Sequence, residues 1–192
     1  KRNYLYGEAM THILGYVGRI NDRDVERLKK EEKFANYSGS TDMGKLGIER
    51  YYEEQLHGTT GFEEVEINNR GKVIRKLREQ PATAGKSIHL TIDLALQRYI
   101  MSLLSGQKGA VVVLDPKDNS VLAMVSTPSY DNNLFVDGIS ASDYKRLLND
   151  PARPLYSRAT QGVYPPASTV KPFVAVAALT EGVITLHTTI FD

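Results

Sequence analysis

A chain of 192 residues has room for one ample core or two small ones, and 24 Lys and Arg against 23 Asp and Glu leave a net charge of +1. No clustered basic surplus marks a nucleic-acid footprint. The absence of cysteine excludes disulfides and thiolate metal sites. The longest apolar run, Phe173 to Leu179, falls far short of the ~20 residues a membrane helix needs. His12, His57, His89 and His187 are scattered without ligand spacing, so no metal and no other cofactor is expected. The chain opens on Lys1 without a methionine or signal-like segment and closes on Ile190-Phe191-Asp192 soon after a helical pattern, and it reads as an excerpt of a longer protein.

Residues Gly7 to Tyr16 suit a short helix or strand, which Gly15 and Gly18 interrupt. Asn21 or Asp22 can cap a charged helix through Lys30, with Val25 and Leu28 as its narrow apolar stripe. After a polar loop, Ile48, Tyr51, Tyr52 and Leu56 share one helical face, and His57-Gly58 ends that helix. Val65 and Ile67 alternate with glutamates, Asn68-Asn69-Arg70-Gly71 supplies turn residues, and Val73, Arg75 and Leu77 alternate again, which predicts a half-exposed hairpin. Such a hairpin could be a solvated face or a surface that docks partners. Periodicity breaks at Glu79 to Lys86, a segment with both Pro81 and Gly85, and this places a domain boundary at about residue 86.

Beyond the boundary Ile88, Leu90 and Ile92 alternate as a strand, and Asp93 caps a helix with Leu96, Ile100, Leu103 and Leu104 on one face. Gly109 to Leu114 and Ser120 to Ser126 are apolar, β-branched runs, expected as an antiparallel pair buried at the centre of a sheet. A loop, a short helix over Ser142 to Leu148 capped by Ser142 or Ser140, and an irregular stretch at Asp150 to Pro154 lead to an apolar helix that starts near Ser168. The whole is an α+β chain with helices packed on an antiparallel sheet.

That last helix carries the candidate chemistry. In Pro165-Pro166-Ala167-Ser168-Thr169-Val170-Lys171-Pro172, one turn separates Ser168 from Lys171, which places a hydroxyl nucleophile beside an amine base. Spacing alone is weak, because 12 serines and 12 lysines give on the order of one chance match, and three occur. Ser105/Lys108 falls in a glycine-flanked turn and Ser142/Lys145 at the start of a polar surface helix. Only Ser168/Lys171 precedes a helix apolar on every face, which predicts burial, and burial together with the positive end of the helix dipole favours a neutral amine on Lys171. The Pro172 ring conflicts with the carbonyl of Ser168, fixing the helix start there and leaving the Ser168 backbone N–H free to receive an oxyanion. Position alone equally allows Ser168 to be a helix cap and Lys171 to snorkel into solvent.

The run Arg158 to Phe173 resembles the active-site segment of the penicillin-binding proteins, whose superfamily shares the Ser-x-x-Lys motif. Gly47 to Glu53, Leu90-Thr91-Ile92-Asp93 with Leu96-Gln97, Ala110 to Pro116, Leu122 to Ser126 and Pro128-Ser129-Tyr130-Asp131 look like landmarks of the class B members. Gly15-Tyr16-Val17, Asn68 to Gly71 and Phe135 to Ser140 look closest to the subgroup that serves elongation of rod-shaped Gram-negative bacteria.

The resemblance implies that residues 1–86 belong to a non-catalytic, dimerisation-type pedestal and that 87–192 begin a serine transpeptidase domain. It implies Ser168 as nucleophile toward peptidoglycan stem peptides and β-lactams, Lys171 as general base, and the Ser168 N–H as one oxyanion donor. It further implies a place on the periplasmic face of the inner membrane through an anchor outside this chain, and partners of the RodA glycan-polymerase and MreC scaffold types. The Ser-x-Asn and Lys-Thr-Gly type motifs of such enzymes are absent, so these 192 residues alone are expected to be inactive. A penicillin-hydrolysing or penicillin-sensing relative, or a non-catalytic scaffold of the cell-wall machinery, are the alternatives. Ala167 stands where most relatives have glycine, so the turn must accommodate a Cβ.

Overall fold

The computed structural model describes residues 2–189, and Lys1 and residues 190–192, with the chain ends noted above, lie outside them. By contact the chain divides after Gln161 into two units.

In the first unit, a 3-10 turn at Gly7–Ala9 leads into α1 (Thr11–Leu14), which Gly15 ends at φ +71°. A Cβ at Gly15 would lie 1.9 Å from the Leu46 carbonyl oxygen, so the close approach of the two backbones requires glycine. β1 (Val17–Arg19) follows, then α2 (Asp22–Lys30), which opens on a capping box between Asn21 and Asp24. β2 (Asp42–Gly44) pairs antiparallel with β1, and Leu28, Tyr37 and Met43 form a small core beneath them. Lys45 bridges back to the Asp24 carboxylate.

The helix expected over residues 46–56 is broken at Tyr52 into α3 (Gly47–Tyr51) and α4 (Glu53–His57). Its glutamates explain the break. Glu49 is buried and ion-paired with Arg2 at 2.8 Å, while the Glu53 carboxylate accepts the Gly44 N–H at 2.7 Å, so both face inward and bend the segment around the β1–β2 pair. β3 (Phe62–Ile67) and β4 (Val73–Gln80) form the predicted hairpin. Its charges pair across the strands, Arg75 with Glu66 and Lys76 with Glu63.

Residues 86–93 form no strand ladder. Their ties to neighbouring segments are the Lys86 N–H on the Gln55 carbonyl, the Thr91 hydroxyl on the Val121 carbonyl and the Asp93 N–H on the Leu122 carbonyl, too few for the strand read from Ile88, Leu90 and Ile92. α5 (Leu94–Leu103), capped by the Asp93 side chain, packs Leu96, Ile100 and Leu104 onto β5 (Gly109–Leu114) and β6 (Val121–Thr127). The β5–β6 pair is two-stranded among the described residues. α5 covers one face, whereas Val112 and Leu114 are exposed on the other, so the fully buried sheet centre expected from the sequence is not what these residues form.

A 3-10 turn at Asn132–Phe135, α6 (Ala141–Asn149, capped by Ser140) and the single turn α7 (Arg158–Gln161) complete the unit. Tyr130, Phe135 and Leu147 form its third core cluster, against which Tyr16 packs.

The first fifteen residues are sewn to this second half. Thr11 Oγ1 donates to the Tyr130 carbonyl at 2.6 Å, fully buried Asn132 donates to the Gly15 carbonyl at 2.7 Å, and Asn133 exchanges two hydrogen bonds with the Tyr4 backbone. Gln97, 1% exposed, is the central staple: its Nε2 donates to the Ala9 and Met124 carbonyls and its Oε1 accepts the Met124 N–H. The Gln97 amide has partners at both its nitrogen and its oxygen, and together these bonds join elements on either side of residue 86.

In the second unit, a 3-10 turn at Ala167–Val170 runs into α8 (Lys171–Thr180). The helix expected to be buried is exposed along its length among the described residues. Phe173 is 75% exposed, and Val174 and Val176 are also open. An all-round apolar pattern encodes a need for cover on every side, and the residues described here do not supply that cover.

Candidate active site

The segment holding Ser168 is built from three local constraints. Pro165 and Pro166 restrict the approach to the turn, and Pro172, in the first turn of α8, has no N–H to donate to the Ser168 carbonyl. The Lys171 N–H takes that carbonyl instead, which is why the helix begins as a 3-10 turn and becomes α-helical one residue triplet later than Ser168. Thr169 secures the turn through both its N–H and its hydroxyl, each donating to the Pro166 carbonyl. The Ser168 N–H lies in the first turn, where backbone N–H groups have no intrahelical acceptor and point out of the helix mouth.

Ala167 takes φ +48°, a left-handed conformation that an L-residue with a Cβ adopts at a cost of roughly 1–2 kcal/mol. Strain of this kind immediately before a candidate nucleophile fixes the direction in which the serine leaves the turn.

Ser168 and Lys171 are therefore one turn apart at the start of α8, as their spacing required. Both are exposed, and among the described residues neither side chain makes a hydrogen bond or ion pair, with each other or with another group. The burial expected to favour a neutral Lys171 amine is absent here for the same reason that α8 is uncovered.

Ahead of the site, α7 is tied to the sheet in ways that residue type alone did not reveal. The Arg158 N–H donates to Ser126 Oγ at 2.9 Å, and the Arg158 guanidinium donates to the Ala152 carbonyl at 2.6 Å. The Tyr156 hydroxyl donates to the Gln161 carbonyl at 2.6 Å. Of the four histidines, His57 bonds Ser40 at 2.7 Å and stacks on Tyr37, His12 lies edge-on to Tyr130, and His89 and His187 are exposed. Among the described residues no cluster of His, Asp or Glu could hold a metal ion.

Residues 1–90 match the family "Penicillin-binding Protein dimerisation domain", and residues 109–192 match "Penicillin binding protein transpeptidase domain". Across all 192 residues the chain is 83% identical to the peptidoglycan D,D-transpeptidase MrdA of Haemophilus influenzae and 66% identical to that of Escherichia coli K12. The chain belongs to the penicillin-binding proteins. It spans 30% of the length of these two curated relatives. Within the family, solved structures of PBP2 superpose closely. The Pseudomonas aeruginosa PBP2 complex with WCK 5153 has a TM-score of 0.84 at 45% identity, covering 100% of this chain and 38% of that one. PBP2 in complex with MreC from Helicobacter pylori has a TM-score of 0.85 at 31% identity, covering 99% of this chain and 34% of that one. As a penicillin-binding protein the chain has the α+β composition expected of it, with small antiparallel sheets and packed helices.

Proposed function

We propose that this chain is part of a peptidoglycan D,D-transpeptidase that crosslinks stem peptides during cell elongation, with a pedestal over residues 1–86 and the start of the catalytic domain over 87–192. The observation that carries the reading is the Ser168/Lys171 pair at the mouth of α8, inside the stretch similar to transpeptidase domains.

Ser168 Oγ adds to the carbonyl carbon of the D-Ala-D-Ala bond while its proton passes to Lys171. The tetrahedral oxyanion receives the outward-pointing Ser168 N–H. Collapse expels the terminal D-Ala, protonated from Lys171, and leaves an ester on Ser168. The amine of a neighbouring stem then displaces that ester and closes the crosslink. A penicillin acylates the same oxygen by opening its lactam ring. The exposed apolar surface of α8 calls for cover, which the rest of a longer protein would supply.

The Helicobacter pylori PBP2 complex with MreC supports an MreC-type partner, and the elongation reading adds a RodA-type polymerase. The place of action is the periplasmic face of the inner membrane. No helix among the described residues is long and apolar enough to cross a membrane.

D-Ala release by that longer protein from a donor pentapeptide, with an acceptor amine present, tests the reading. Ser168→Ala should lower release by at least about a thousandfold. Unchanged release, or water taken up in place of the amine together with rapid deacylation of penicillin, would contradict it.

A further inference from the structure

We infer that Tyr156 and Ser126 are positioning residues for Ser168, acting as a clamp on the two ends of α7. The inference rests on the transpeptidase reading above. A single helical turn has no stability of its own, because nucleation costs more than one turn returns, so α7 must be held from outside.

Its first residue is held by the sheet. The Arg158 N–H is one of the orphan donors of a helix start, and it reaches Ser126 Oγ at 2.9 Å. Ser126 is 3% exposed and sits in β6, paired with Ala110 of β5, so its hydroxyl is a fixed point. Two further bonds from the Arg158 guanidinium, to the Ala152 and Arg153 carbonyls, fasten the same end.

Its last residue is held by Tyr156. The Gln161 carbonyl is an orphan acceptor of a helix end, and the Tyr156 hydroxyl donates to it at 2.6 Å. The ring that carries this hydroxyl is itself fixed, with the Arg153 guanidinium 4.6 Å and the Arg158 guanidinium 5.9 Å from its centroid. The Gln161 side chain adds a return bond, its Oε1 accepting the Ser157 N–H at 3.3 Å.

Gln161 is the final residue of the first unit, and Gly162 opens the segment that carries Ser168. The clamped carbonyl is thus the last held point of the backbone before the nucleophile. Between them lie six residues, two of them the prolines Pro165 and Pro166, which transmit direction better than a flexible loop would. A displacement of about 1 Å at a reacting atom can cost up to a hundredfold in rate, so one hydroxyl at the stem has enough leverage to matter.

The test uses the longer protein and rapid-mixing kinetics with a fluorescent penicillin, which separates the dissociation constant of the encounter complex from the first-order acylation constant. Tyr156→Phe removes only the hydroxyl and keeps the ring between its two arginines. It should lower the acylation constant roughly tenfold while the encounter constant changes less than about twofold and the melting temperature holds within about 1 °C. Ser126→Ala should move the acylation constant in the same direction. An unchanged acylation constant in well-folded Tyr156→Phe overturns the inference, as does a fall that merely tracks lost melting temperature in both variants. Failure of the wild-type protein to acylate at Ser168 overturns the transpeptidase reading itself, a separate result.

Discussion

Ala167 places a Cβ on backbone at φ +48° directly before Ser168. Glycine there would relieve roughly 1–2 kcal/mol of left-handed strain and give back about half of it as unfolded-state entropy. Ala167→Gly should therefore raise stability by about 0.5–1 kcal/mol in urea denaturation, and a lower midpoint would show that the Cβ makes a contact worth more than the strain. The sequence flagged this position as an anomaly but held no information on the sign of φ. Gln97 was harder to read, because a glutamine within an apolar helical pattern looks like a surface residue until its three buried partners are seen. Gln97→Leu leaves two carbonyls and one N–H without partners at about 1–3 kcal/mol each, so a loss of at least ~3 kcal/mol is expected by the same measurement. His12 is a third case. Burial lowers its pKa, against the nearby Pro128 carbonyl, and the Arg158 charge lowers it further. A base whose folded pKa lies below its unfolded value of about 6.5 is stabilising in neutral form above that pH, and the contribution drains as pH falls through the folded pKa. Urea midpoints at pH 7.5 and 5.5 should diverge in the wild type and draw together in His12→Gln; equal slopes in both would remove His12 from the account.

At the scale of elements, caps and alternation were legible because they are local. Asn21, Asp93 and Ser140 each accept the N–H three residues on, as their residue types require, and the β3–β4 hairpin closes at Asn68 to Gly71. What was not legible depended on partners distant in sequence. The alternation of Ile88, Leu90 and Ile92 needs a neighbouring strand to become a ladder, and the residues described here provide none. The break at Tyr52 follows from where Glu49 and Glu53 find Arg2 and the Gly44 N–H, which no periodicity encodes. The α8 pattern correctly signals a demand for burial but cannot say what meets it. With Phe173, Val174 and Val176 open, the isolated 192-residue chain should self-associate as concentration rises. Light scattering should show this, and Phe173→Ser combined with Val176→Ser should suppress it; a chain that stays monomeric without those changes would mean α8 folds back under cover in solution.

For the whole molecule, the seam between the first fifteen residues and residues 129–133 ties the stretch similar to dimerisation domains to the stretch similar to transpeptidase domains, so the boundary expected at residue 86 is not a break in contacts. The placement of Ser168 and Lys171 one turn apart was readable from spacing and proline placement; what surrounds that pair was not, since it depends on residues distant in sequence. The most direct measurement is mass spectrometry of the longer protein after exposure to penicillin, with the 192-residue chain treated in parallel. The account predicts one covalent adduct on Ser168 of the longer protein, none in Ser168→Ala, and little or none in the 192-residue chain. An adduct that persists in Ser168→Ala or maps to another residue would contradict it.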